Sequence, residues 1–175
     1  MGTLQEYFTS EHEIFRETVR KFVEKEVKPH IEEWEDAEIF PIELYKKAAD
    51  AGFLGLGYPE EYGGVPCDKF MTIAFTEEMI YGSGSVGLIS GLGSYSIAIP
   101  PIMNLGTEAQ KRKFVIPVIK GEKIAALGIT EPNAGSDVAN ITTRAVRDGD
   151  DYIVNGAKTF ITSGCRANFI TTAVR

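Results

Sequence analysis

The stretch KRKFVIPVIKGEKIAALGIT, residues 111–130, holds the change of pattern that decides the fold. Up to about Lys120 the residues read as a helix that starts at an N-cap, Thr107, and is stopped by Gly121. After it, residues 124–129 form a short apolar run of strand length, followed by turn dipeptides and further short β-rich runs. Helices come first and strands second, which predicts an α+β fold with segregated layers. The expected organisation is an N-terminal all-helical domain over residues 1–122, then an incomplete antiparallel β-domain over residues 123–175.

Working upstream, Ser10 and Glu13 read as a capping box before a helix with the apolar stripe Phe15, Val19, Phe22, Val23 and Val27, ended or kinked at Pro29. Helices are also expected over residues 41–51, with Pro41 in the first turn and Gly52 as the stop, and over residues 68–80. Four glycines and two prolines make residues 55–66 a loop. A helix over about residues 86–99 is almost uncharged and should be buried all round. Working downstream, strands over residues 141–147, 151–154 and 157–162 are joined by Asp148-Gly149 and Asn155-Gly156, which tolerate the positive φ of tight hairpins. A last strand, residues 169–174, would leave an uncovered edge, which natural proteins protect, so the 175 residues are expected to be a piece of a longer protein.

Composition narrows the class. With 43% apolar and 25% charged residues, the chain is neither disordered nor collagen-like. No run approaches the roughly 18 apolar residues of a membrane-spanning helix. The N-terminus lacks a signal-peptide core, so a cytoplasmic location is expected, or the mitochondrial matrix in a eukaryote. The net charge of −7 is local: residues 1–61 carry 15 acidic and 7 basic residues, the remainder 10 and 11. Such a chain, without a basic patch, is a poor nucleic-acid binder. Cys67 and Cys165 read as unpaired thiols and His12 and His30 as surface residues, with no metal-ligand set around them.

Residues 130–137, TEPNAGSD, follow directly on the first strand. Small residues, one glycine and two hydroxyls can turn donors toward a phosphate or a polar ring edge, or can simply make turns. On a strand, Phe160 and Thr162 would share a face, as an aromatic wall and a hydroxyl, or as a core residue and an ordinary β-former. Gly87 and Gly91 share one face of a helix, which leaves either a deeper pocket or a close helix contact. Glu77 and Glu78 read as a solvated or salt-bridged helix face, and Glu131 as structural.

Taken whole, TEPNAGSD resembles the signature of the acyl-CoA dehydrogenase family. NGAKTFITSG, residues 155–164, is similar to that family's second flavin-contacting strand, and GFLGLGYPEEYGG, residues 52–64, to its helix-end loop. The resemblance covers essentially the whole chain. It implies FAD-dependent α,β-dehydrogenation of an acyl-CoA thioester to the trans-2-enoyl-CoA, as in fatty acid β-oxidation. Electron-transfer flavoprotein is the implied acceptor and a homo-oligomer, a tetramer, the implied assembly. By the same resemblance Leu127, Ile129, Thr130, Gly135, Ser136, Phe160, Ile161 and Thr162 bind FAD. Thr130 would bond the isoalloxazine edge, Thr162 would approach N5, and Phe160 would wall one face. Ser136 would also meet the acyl-CoA, and Gly87 and Gly91 would floor the acyl pocket. Phe160 stands where many members carry Trp, Leu127 where some carry Tyr, and Asn140 where a smaller residue is usual; none breaks the pattern.

The family's catalytic glutamate lies in a C-terminal helical domain that these residues do not include. No catalytic residue is therefore expected in this chain, which alone should be inactive. The helical region, with Trp34, also resembles the long-chain branch of the family. Two rivals are an acyl-CoA oxidase of the same fold and a non-catalytic helical scaffold module.

Overall fold

A computed structural model describes residues 7–175. Its helical part runs α1 (Ser10–Glu26), α2 (Ile31–Asp36), α3 (Glu43–Asp50), α4 (Lys69–Ser83), α5 (Val86–Leu92), α6 (Tyr95–Ala98), α7 (Pro100–Leu105) and α8 (Glu108–Gln110). A π-helical turn, Lys111–Val115, continues α8 into α9 (Ile116–Ile119). The strands are β1 (Ala125–Gly128), β2 (Arg144–Asp148), β3 (Asp151–Asn155) and β4 (Phe169–Thr172). Helices precede strands, as the change of pattern at Gly121 implies.

The pair α1 and α4 builds the helical core. Val19 and Val23 of α1 are fully buried, as are Ala74 and Met79 of α4. Asp68 caps α4 by accepting the Met71 N–H at 2.9 Å. At α1 the cap lies one residue before the expected Ser10: Thr9 is the N-cap, and its N–H donates to His12 Nδ1 at 2.9 Å. With Nδ1 accepting, Nε2 carries the proton that reaches the Asp68 carboxylate at 3.0 Å. His12, expected at the surface, is thus buried, edge-on to the Phe8 and Phe70 rings.

Glu78 of α4, also buried, accepts from Arg16 Nη1 at 2.9 Å and from Arg20 Nε at 2.6 Å. Its bond to Arg20, joined by Arg16 and opposed by burial, holds the carboxyl below the usual range. A depressed carboxyl stabilises the fold fully above its unfolded value, about 4.3, and that contribution is lost as pH falls through the folded one. Glu78→Gln is therefore expected to cost about 2 kcal/mol at pH 7. The gap from wild type should shrink steadily below about pH 4. Urea midpoints taken from pH 7 down to pH 3 check this; a gap independent of pH would contradict it.

The expected single helix over residues 86–99 is broken. Gly93 and Ser94 separate α5 from α6, and Val86 and Ile97 are 61% and 54% exposed, so the segment is not buried all round. Glycine weakens the helix there, and the Ser94 hydroxyl turns to donate to Ala125 O of β1 at 3.0 Å.

The β part also departs from the expected antiparallel meander. β2 and β3 do form the hairpin across Asp148-Gly149, with Gly149 at φ +62°. β1, however, pairs in parallel with β4, from Ala125↔Phe169 to Gly128↔Thr172. Residues 157–162 form no strand, because Phe160 and Ser163 take φ of +56° and +61°. Thr159 N–H donates to Thr130 O rather than to a hairpin partner. β4 carries β1 on one edge and, among the described residues, no strand on the other, and past β4 the Arg175 N–H donates to Thr143 O.

Candidate functional site

Two segments far apart in sequence meet where β1 ends. After β1 the chain makes a tight turn in which the Glu131 N–H donates to Ala134 O at 2.9 Å. Thr159 N–H donates to Thr130 O at 2.9 Å, and Lys158 Nζ reaches both Ile129 O at 2.9 Å and Glu131 Oε1 at 2.7 Å. Glu131 is 4% exposed and also accepts the Thr142 hydroxyl at 2.7 Å and the Thr143 N–H at 2.9 Å. Burial pushes its carboxyl up, but Lys158, Thr143 and Thr142 outweigh burial and hold it well below the usual carboxylate range. Its structural role, read from sequence, is what this geometry gives it.

Past Lys158 the chain turns outward. The Phe160 ring is 91% exposed, and a non-glycine residue in the left-handed region costs about 1 kcal/mol. Core packing does not account for it. An aromatic face held out on anchored backbone is a surface made to be covered. Two residues on, Thr162 is exposed and lines a cavity of about 400 Å³ with Phe75 of α4 and Ser90, Gly93, Ser94 and Ile97. The break between α5 and α6 is what brings Gly93 and Ser94 to that cavity. A neighbouring cavity of about 650 Å³ shares Thr72, Phe75, Tyr95 and Ser96 with it and runs on to Tyr58 and Cys67. Burial pushes the Tyr58 phenol up to about 12. The Tyr95 phenol is raised by burial too.

The remaining candidates separate. Thr130 is half-buried beside Thr159, while Gly135 and Ser136 are exposed, with open space over Gly135. Leu127 is half-buried in β1 against the core, Ile129 gives its carbonyl to Lys158, and Ile161 gives its carbonyl to the Gly164 N–H. Gly87 and Gly91 do not floor the Thr162 cavity. They line another, of about 470 Å³, with Trp34, Phe40 and Arg166. A Cβ on Gly91 would sit 2.8 Å from Phe40 Cε1, so its bare backbone serves a close ring contact. The glycine that shares the cavity with Thr162 is Gly93, one of the same glycine cluster but in the break between α5 and α6. Glu77 and Glu78 are engaged by Arg16. Cys67 and Cys165 are free thiols. Among the described residues no cluster of His, Cys, Asp and Glu could hold a metal ion.

Sequence reasoning missed Lys158, Ser90 and Ser94. Lys158 had one signal, a lone cation inside a run of small and apolar residues. The serines had none, since helix residues announce a cavity only when the opposing wall is known. The exposed Phe160, the Thr162 hydroxyl two residues on and Thr130 beside Thr159 offer an apolar face and hydroxyls of the kind that suit a flat conjugated ring with a polar edge, and the open Gly135-Ser136 turn separately offers the space and hydroxyl that suit a phosphate.

The family model described as acyl-CoA dehydrogenase, N-terminal domain, matches residues 9–122, and that described as acyl-CoA dehydrogenase, middle domain, matches residues 126–175. The chain is 44% identical to the short-chain specific acyl-CoA dehydrogenase of Clostridium acetobutylicum over 156 residues, 89% of this chain and 41% of that protein. It is 42% identical over 167 residues, 95% of this chain and 38% of the relative, to the mitochondrial long-chain specific acyl-CoA dehydrogenase of Mus musculus. The chain thus spans about two-fifths of the length of these relatives. A probable acyl-CoA dehydrogenase from Mycobacterium abscessus superposes with a TM-score of 0.93 at 47% identity, over 97% of this chain and 45% of that one. A glutaryl-CoA dehydrogenase from Mycobacterium smegmatis in complex with FADH2 superposes with a TM-score of 0.86 at 30% identity, over 98% of this chain and 44% of that one.

Proposed function

The chain belongs to the acyl-CoA dehydrogenase family, and from that premise we propose that it forms the acyl-pocket wall and one half of the flavin site of an enzyme that oxidises acyl-CoA thioesters between Cα and Cβ. The observation that carries this reading is Thr162 at the mouth of a cavity between α4, α5 and α6, with the exposed Phe160 ring two residues before it and Thr130 bonded alongside.

Bound FAD would supply the acceptor for the hydride lost from Cβ. Phe160 offers the flat ring an apolar face. The Thr130 and Thr162 hydroxyls donate toward its polar edge, where negative charge grows on reduction. Gly135 and Ser136 leave room and a hydroxyl for the phosphate tail. Phe75 and Ile97 would enclose the acyl chain, and Ser90 lies in the same wall, while the Ser94 hydroxyl is turned to Ala125 O. Glu77, Glu78 and Glu131 are each engaged in ion pairs, so the base that removes the α-proton is assigned to a group outside this chain. Electrons would pass to an electron-transfer flavoprotein, and assembly as a homo-oligomer would complete the flavin site. Relatives named for short and for long chains match almost equally well, so the acyl length is left to the cavity walls.

The test is spectroscopic. The complete FAD-loaded enzyme that contains this chain and supplies the base should bleach in the visible when acyl-CoA is added. Absence of bleaching with short, medium and long acyl chains alike would reject the reading. Thr162→Ala should slow flavin reduction on the order of a hundred-fold while acyl-CoA affinity stays within about two-fold. Equal effects on rate and affinity would remove Thr162 from that role.

A further inference from the structure

We propose that Glu131 and Lys158 are positioning residues, whose buried ion pair sets the register between the Thr130 loop and the Phe160–Thr162 segment and so holds the two flavin-facing surfaces at one spacing. This rests on the flavin reading above.

Three consecutive residues on one side are bonded to two on the other. Ile129 O and Glu131 Oε1 each accept from Lys158 Nζ, at 2.9 and 2.7 Å, and between them Thr130 O accepts the Thr159 N–H at 2.9 Å. Thr130 is therefore held by its backbone carbonyl, and its side chain takes no part in these bonds. The same carboxylate accepts both the N–H and the hydroxyl of Thr142 and the N–H of Thr143, so a third segment is pinned to the same point. None of the three segments belongs to a strand or helix that would fix its register. A ladder sets the register of β1 and β4; here one backbone bond and the Lys158 ammonium, shared between Ile129 O and Glu131, take that part.

The pair's location fits the assignment. The two side chains are 2% and 12% exposed, while Phe160, two residues beyond Lys158, is 91% exposed. The clamp thus lies directly beneath the surface it would position. Stability alone does not explain it, because a buried ion pair is often replaceable by apolar residues of similar volume without loss of stability. Register is the attested use of such pairs, and a displacement of one ångström at a reacting group can cost roughly a hundred-fold in rate.

The experiment uses the complete FAD-loaded enzyme that contains this chain, as wild type and carrying Lys158→Met, Glu131→Gln, or both, with Lys158→Arg as the conservative change. Lys158→Met alone strands a buried carboxylate and can prevent folding. The double variant removes both charges, and the Gln carbonyl oxygen can still accept from Thr142 in the place of Oε2, while its amide nitrogen cannot accept the Thr143 N–H. Expected for the double variant are a folded protein, a shifted visible spectrum of the bound flavin, and reduction by acyl-CoA at least about ten-fold slower, with acyl-CoA affinity within about two-fold of wild type. Lys158→Arg should recover most of the reduction rate.

A double variant that reduces flavin at the wild-type rate with an unchanged spectrum, and only melts earlier, overturns the proposal. So does a double variant that cannot fold, since the pair would then serve folding itself. Wild-type protein that takes up no FAD refutes the flavin reading, and the positioning role with it.

Discussion

Phe53→Ala is expected to destabilise the protein by about 3–5 kcal/mol. Phe53 is 1% exposed and forms the hub of an aromatic cluster. The Phe15 and Phe22 rings of α1 meet it edge-on, with centroids 6.0 and 5.1 Å away, and the Phe75 ring of α4 lies at 5.1 Å. Removing the ring costs its transfer free energy, and a further cost for whatever space the packed rings around it cannot close. For a chain of this length that corresponds to a fall in Tm of roughly 10 °C. The consequence reaches the site, because Phe75 also lines the Thr162 cavity. Chemical denaturation measures the loss; a cost below about 1 kcal/mol would mean the cluster repacks freely.

Gly64→Ala is the second large effect. The loop between α3 and α4 folds back on itself: Gly57 N–H donates to Val65 O at 2.9 Å, and Val65 N–H to Gly55 O at 2.8 Å. A Cβ on Gly64 would lie 2.1 Å from Tyr58 O. That atom is backbone, so no side-chain rotation relieves the contact and the loop must open. A loss of about 3 kcal/mol is expected, at the upper end for overpacking. Tyr58 gives a local readout. Its phenol is pushed up to about 12 by burial, so opening the loop should bring its alkaline titration back toward 10. An unchanged urea midpoint together with an unchanged titration would show that the loop absorbs the methyl group in place.

The readings that succeeded were local ones. Thr107 before its helix, and Asp148-Gly149 between two β-rich runs, each carry their chemistry within a few residues. The fold order needed only the switch of period at Gly121. TEPNAGSD and NGAKTFITSG were legible as motifs because their residues are contiguous.

The readings that failed depended on what lies opposite. The alternation in residues 157–162 looked like a strand, yet Thr159 finds its acceptor at Thr130, and Phe160 and Ser163 turn through positive φ. Gly87 and Gly91 do share a helix face, as their spacing requires, but spacing is silent on whether that face meets an acyl chain or the Phe40 ring. His12 gave no sign that Asp68 would close over it.

The sequence by itself determined the helical and β halves, the Thr107 cap, the Asp148-Gly149 turn and the family, because periodicity, such caps and turns, and contiguous motifs are short-range properties of the chain. Tertiary structure alone decided that β1 lies parallel to β4, that Gly93 rather than Gly91 borders the cavity, and that Glu131 and Lys158 clamp the two motifs together. Each of these is a contact between segments distant in sequence. Such contacts are selected by the packing and hydrogen-bond satisfaction of the whole chain, which no single segment encodes.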